Sequence, residues 1–380
     1  MTEAVLAFEE PEAHLHPHAT RNLLNTLEKI DSQKIISSHS PYFTQDIPLK
    51  SIRMFRHSDT SAQIHYIKRS FEERIPSSQE VLDFCASNPH YEYDQTHSKL
   101  ISYRPVSEAE CRQLMRLYPG NNDVHNLLRS LQKESGLYIT DEEMLVLETF
   151  AKRIRGELFY ARAWLLCEGQ CEYLIYRYFA NVLGMNLDQF GITVLDFQNN
   201  GSPEIFVKLA ESFHIPWLFV CDGDPQGIDF VSRIKSLGLD NSKEKLIRVM
   251  PYKSDFEKYM CRNGFTQDYI DILSKEARFA SPNAPEWDLV NIEGEKLVVD
   301  PDGNIEIRVS YKTQPDKIFI NTHRGFDKKK ETLVAKRIGS KEKLLNTHRL
   351  VEHLQQQNME ETRVPSFMRK VIIDTIRLTQ

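Results

Sequence analysis

Ala163-Trp164-Leu165-Leu166-Cys167-Glu168-Gly169 and Trp217-Leu218-Phe219-Val220-Cys221-Asp222-Gly223-Asp224 decide how this chain is read. Each is an apolar run of strand length that stops abruptly at an acid and a glycine. Such runs, with helical periodicity between them, are the pattern of strands buried on both faces of a parallel sheet. Followed in both directions, the pattern predicts strands at 163–167, 191–197, 217–221 and 245–250, with helices at 172–183 and 203–213. Ligand sites in open parallel sheets form beyond the carboxyl ends of the strands. Two strands therefore deliver Glu168, Asp222 and Asp224 to one edge. Glu172, four residues past Glu168, falls in the first turn of a helix that starts near Gly169.

Clustered carboxylates repel one another and keep ordinary pKa values only where a cation compensates them. An all-oxygen donor set selects hard ions, so Mg²⁺ or Mn²⁺ is expected in preference to zinc. Glycine beside each acid suits a sharp turn and a close approach of backbone to ligand. The plainer alternative is that strand-end acids cap helices and hydrogen-bond turns. Two acidic pairs, each directly after an apolar strand, favour the ion. Asn199-Asn200-Gly201-Ser202 precedes a helix opening at Pro203. Its backbone amides suit a phosphate, and equally an ordinary turn and cap.

Outward from this core, residues 1–70 carry strands near 4–8 and 34–37, a helix near 19–30, and extended segments near 52–55 and 64–67. Residues 71–158 show helical periodicity, punctuated by Pro76, Pro105 and Pro119-Gly120, and read as a helical connector or dimerisation element. The α/β domain is placed at 159–345. A polar insert at 264–325 contains strands at 297–299 and 305–309 flanking Asp300-Pro301-Asp302-Gly303-Asn304, a hairpin pattern. Residues 346–380 read as helix.

The strand-end residues resemble a TOPRIM domain, whose hallmark is a glutamate after its first strand and an Asp-x-Asp after a later one. Leu158-Phe159-Tyr160-Ala161-Arg162 and the additional Glu172 resemble the OLD (overcoming lysogenisation defect) nucleases in particular. That family includes the class 2, Gabija-type anti-phage enzymes and joins an ABC-type ATPase to a TOPRIM nuclease. The resemblance implies a two-metal DNA nuclease. Glu168 with Asp222 and Asp224 would hold one ion, and Glu172 with an acid after the next strand the second. That acid is Glu257, with Asp255 in reserve. The resemblance also implies a late lysine near the scissile phosphate, for which Lys330 or Lys329 is the candidate.

Residues 4–12, Ala-Val-Leu-Ala-Phe-Glu-Glu-Pro-Glu, resemble an ABC-type Walker B strand. Glu9 would then sit near Mg²⁺ and Glu10 would polarise the attacking water. Ile35-Ile36-Ser37-Ser38-His39-Ser40 resembles the strand carrying the switch histidine. A P-loop needs Gly-Lys before Ser or Thr, and the chain contains no Gly-Lys dipeptide. The expectation is a partial, N-terminally truncated ATPase fold that does not hydrolyse ATP alone; ATP would serve only if a partner chain supplied the P-loop half. His14, His16 and His18 alternate, but no cysteine lies nearby to make a zinc site with them.

The remaining numbers bound these readings. A hydrophobic fraction of 41% and a charged fraction of 27% over 380 residues are those of a soluble globular chain of two or three domains. Apolar runs are strand-sized, so no membrane partner is expected. No secretory leader is visible, and six cysteines without framework spacing read as reduced thiols of a cytoplasmic protein. The net charge of −6 runs against the basic excess usual in DNA binders. Bound divalent ions reverse the field locally, and Lys328-Lys329-Lys330 and Lys336-Arg337 are basic clusters. The expected partners are DNA and either a second copy of the chain or one that completes the ATPase. The expected setting is anti-phage defence or DNA repair. The rival readings are another TOPRIM enzyme, primase-like or RNA-processing, and a non-catalytic ATP-regulated subunit.

Overall fold

The computed structural model describes residues 5–58, 61–153, 157–197, 201–279, 287–292, 295–299, 305–309, 331–332, 334–336, 338–339 and 342–380. Its contacts divide the chain into two units: 1–164 with 199–217 and 230–246, and 165–198 with 218–229 and 247–380.

In the first unit, β1 (Val5–Glu9) and β2 (Gln33–Ser37) pair in parallel, Val5 against Gln33 and Glu9 against Ser37. The helix Pro17–Glu28 lies between them in sequence and buries Leu24 and Leu27 with Phe43. β3 (Met54–Ser58) and β4 (Ser61–His65) form an antiparallel hairpin. The connector is built of helices alone only in its later part, as Glu108–Arg116, Asn122–Ser135 and Asp141–Arg153. Its opening corrects the all-helical expectation. β5 (Phe71–Arg74), β6 (Tyr91–Asp94) and β7 (Lys99–Ser102) form an antiparallel sheet of order β5-β7-β6 around the helix Gln79–Ser87. Each strand has four residues, and alternate burial over so short a span leaves no separable period-two signal. Packing settles it: Phe71, Tyr91, Tyr93 and Leu100 enter one apolar cluster with Leu114 and Leu128 of the helices. Asp94 secures the turn into β7 by accepting from the Thr96 and His97 amides.

The α/β core is the parallel sheet expected of the sequence. β8 (Ala163–Cys167), β9 (Ile192–Asp196), β10 (Trp217–Cys221) and β11 (Ile247–Val249) lie in the order β11-β10-β8-β9, with Phe219 against Ile247 across the β10–β11 pair. Every residue of β8 and β10 is buried, which is why both read as unbroken apolar runs.

In the second unit the helix Gln170–Val182 packs against two helices from the far end of the chain, Lys343–Gln356 and Ser366–Arg377. Thr266–Phe279 packs on Lys343–Gln356 as well, with Tyr269, Ile270 and Leu273 buried. The stretch expected as a polar insert thus opens with a core helix, because those apolar side chains share one helical face. Farther along, β12 (Trp287–Ile292), β13 (Glu295–Val299) and β14 (Ile305–Val309) form an antiparallel sheet, with Val299 opposite Ile305. Among the described residues no helix is long and apolar enough to cross a membrane.

Candidate functional site

Chain reversals at the carboxyl ends of β8 and β10 place the acids. Glu168 directly follows β8, and Gly169, in extended conformation, caps the helix on whose first turn Glu172 sits. Beyond β10 the backbone is tied to the next segment: Met250 N donates to Cys221 O at 2.9 Å and Gly223 N to Ser254 O at 2.8 Å. Glycine is required at two positions by close approach. A Cβ at Gly223 would stand 2.4 Å from Met250 O, and one at Gly227 would stand 2.0 Å from Asp222 O. Asp224 Oδ1 accepts from Gly227 N at 2.8 Å, securing the entry to the helix Pro225–Ser236. Glu257 lies on the short helix Phe256–Met260, and Asp255 caps that helix by accepting from Lys258 N at 2.7 Å.

Glu168, Glu172, Asp222 and Glu257 are all buried, at 8%, 4%, 6% and 4% exposure. Asp222 N donates to Glu168 Oε2 at 3.4 Å, which joins the ends of β8 and β10 directly. Glu172 Oε2 and Asp222 Oδ1 have no hydrogen-bond partner among the described residues. Such burial penalises the ionised forms. Asp222 is pushed up to about 9, by burial first and then by Glu172 and Glu168. Burial raises Glu257 to about 7, Lys343 opposing and Glu172 adding. Glu168 and Glu172 are raised by burial too, Glu168 eased by the Asp222 amide and Glu172 by Lys343.

Lys343 is the residue that sequence reasoning missed. Its Nζ lies 3.0 Å from Glu257 Oε1. Burial lowers its pKa, but Glu257 and Glu172 more than offset that and keep it charged. In the sequence it stands in Lys341-Glu342-Lys343, a run indistinguishable from a solvated helix start. Only the packing of Lys343–Gln356 on Gln170–Val182 brings it to the acids.

The remaining candidates are placed as follows. Asp224 and Asp255 are half-buried and engaged in the turn contacts described above. Lys329 and Lys330 lie outside the described residues, as do Asn199 and Asn200. Cys167, Cys171 and Cys221 are buried free thiols. Burial raises all three, Cys171 to about 12, which disfavours the thiolate. Among the described residues no three His, Cys, Asp or Glu side chains already form a chelating set. Carboxylate oxygen is the donor type that hard cations take, and Glu172 Oε2 and Asp222 Oδ1 are buried without a hydrogen-bond partner among the described residues.

In the first unit Glu9 ends β1, and Glu10, at φ 40°, turns the chain so that its Oε1 lies 3.4 Å from His39 Nε2. Both side chains are open to solvent, His39 by 86% and Glu10 by 44%. Glu12 is buried and accepts from Ser38 Oγ, tying the segment after β1 to the segment after β2. No spacing argument had singled it out. His16 caps the helix Pro17–Glu28 and stacks on His18.

A parallel α/β sheet with acids after two neighbouring strands is the arrangement expected of a TOPRIM domain, and the family comparisons agree over part of the chain. Residues 159–224 match the family "Overcoming lysogenization defect protein-like, TOPRIM domain", and residues 1–44 match the family "AAA domain, putative AbiEii toxin, Type IV TA system". The chain therefore carries an OLD-like TOPRIM domain and, ahead of it, an AAA-type ATPase segment. The Escherichia coli K12 protein "Uncharacterized protein YbjD" is 33% identical over 115 residues, which are 30% of this chain and 20% of that protein. The match thus spans about a fifth of the relative's length. Among solved structures, the C-terminal region of the Burkholderia pseudomallei OLD protein is 16% identical with a TM-score of 0.38, over 58% of this chain and 100% of that one. The corresponding region of the Xanthomonas campestris pv. campestris OLD protein is 20% identical with a TM-score of 0.37, over 59% and 96%.

Proposed function

We propose that this protein is a Mg²⁺- or Mn²⁺-dependent endonuclease that nicks or cleaves DNA by phosphodiester hydrolysis, of the class 2, Gabija-like OLD type, in anti-phage defence or DNA repair. The observation that carries the reading is the set of four buried carboxylates, from segments far apart in the chain, with Glu172 Oε2 and Asp222 Oδ1 unsatisfied. Acids so placed are costly in a protein that never binds a cation.

Glu168, Asp222 and Asp224 would hold one ion, Glu172 and Glu257 a second. Glu257 is preferred to Asp255 because Asp255 is occupied as a helix cap. Bound divalent ions supply an activated water and neutralise charge on the leaving oxygen. The Asp222 amide orients Glu168. Gly223 and Gly227 let the backbone after β10 close tightly enough to keep Asp222 on the sheet edge. Lys329 or Lys330 would contact the scissile phosphate.

In the N-terminal segment Glu9, Glu10 and His39 would face a nucleotide whose phosphates are held by a P-loop outside these 380 residues. The protein would work in the cytoplasm as a dimer or with a chain that completes the ATPase. The test is cleavage of supercoiled plasmid with Mg²⁺ or Mn²⁺ by the wild type, Asp222→Ala and Glu168→Ala. Cleavage is expected from the wild type alone, and equal cleavage by all three overturns the proposal.

A further inference from the structure

The carboxylate cluster contains a cation of the chain's own, Lys343, and its position is unusual. Lys343 opens the helix Lys343–Gln356, where the positive end of the helix dipole disfavours a basic side chain, and no acid shares that first turn. The residue before it, Glu342, is held at φ 52°, a backbone conformation that L side chains rarely adopt, and offers no side-chain cap. The compensation lies across the helix packing: Lys343 Nζ sits 3.0 Å from Glu257 Oε1 and electrostatically engages Glu172, Glu168 and Asp222. The two ends of the pair differ in access. Glu257 keeps only 5% of its side chain exposed, whereas Lys343 keeps 36%. The partly exposed ammonium borders solvent, whereas the carboxylate of Glu257 is enclosed.

We infer that Lys343 is a built-in stand-in cation, which neutralises Glu257 and Glu172 while the site is empty and is displaced into solvent when a divalent ion takes those carboxylates. The inference rests on the metal-binding reading proposed above and adds a competition to it. The lysine keeps the empty acid cluster folded and weakens the ion's hold, so occupancy of the second position depends on expelling an ammonium. A lysine that only contacted substrate phosphate would impose no such competition.

The test uses the full chain stripped of metal. Mn²⁺ binding is followed by the electron paramagnetic resonance signal of the free ion, for the wild type, Lys343→Met and Lys343→Arg. The methionine variant is expected to bind Mn²⁺ about tenfold more tightly, because a neighbouring positive charge has been removed. It should also melt at a lower temperature without metal and recover with it. Arginine should leave affinity near the wild-type value. A second measurement needs no variant. In wild-type protein, labelling of Lys343 by an amine-reactive reagent, read by peptide mass spectrometry, should rise on saturation with Mn²⁺. Equal or weaker Mn²⁺ binding by Lys343→Met, or labelling of Lys343 unchanged by bound Mn²⁺, overturns the inference while leaving the nuclease reading intact. No Mn²⁺ binding by any of the proteins overturns both.

Discussion

Two places in this chain end an apolar strand in acid, and they differ in what surrounds the acid. After β8 and β10 the carboxylates of Glu168 and Asp222 are buried, shifted upward and tied to one another through the Asp222 amide. After β1, Glu10 faces an open His39, and the sheet itself alternates exposed and half-buried residues, with Val5 55% and Ile35 60% exposed. The motif is similar and the electrostatics are not. Desolvation turns a strand-end acid into a group that needs a cation; an acid in water needs none.

Four outcomes break or sharpen that contrast, the largest first. Asp222→Ala removes a buried donor from the cluster and is expected to reduce plasmid cleavage by roughly two to three orders of magnitude. Activity within a few-fold of wild type would show that the buried acids are structural only. Gly227→Ala places a methyl group 2.0 Å from Asp222 O. It should cost about 3 kcal/mol of stability, read from urea denaturation. An unchanged midpoint would mean that the backbone after β10 is looser than described.

The third outcome concerns pH. Asp222 and Glu257, raised to about 9 and about 7, favour the folded state in their protonated forms. That contribution is fully present below their unfolded pKa values near ~4 and is lost as pH rises through the folded values. Metal-free protein should therefore melt at progressively lower temperature from pH 5 to pH 9. The stabilisation conferred by Mg²⁺ or Mn²⁺ should grow over the same range. A metal effect independent of pH would detach the cation from these acids. The smallest effect is expected at the open site: the His39–Glu10 pair is exposed, and His39→Ala should change stability by under about 1 kcal/mol. A large loss would mean that β1 and β2 are covered in solution.

The α/β core was legible because its signals are local. Unbroken apolar runs, acid and glycine at their ends, and helical periodicity between them all lie within a few residues of one another. The sheet β5-β7-β6 was not legible: four-residue strands carry too little alternation, and Phe71, Tyr91 and Leu100 join a cluster with the helix between β5 and β6 and with helices after β7. The helix Thr266–Phe279 was hidden inside a polar stretch for a similar reason, since its buried face is defined by Lys343–Gln356. Lys343 left no local trace at all. Its partner Glu257 lies far back in the chain, and nothing in Lys341-Glu342-Lys343 distinguishes it from a surface run.

The sequence by itself determined where strands stop and which acids stand at their ends, because side-chain hydrophobicity and turn chemistry act between neighbours along the chain. Tertiary structure alone decided how deeply those acids are buried, that Asp224 and Asp255 secure turns while Glu172 and Glu257 turn inward, and that an ammonium meets them there. Burial and charge pairing depend on groups brought together by packing across long stretches of chain, and electrostatic energy is set by distance in space and by excluded water, not by position in sequence.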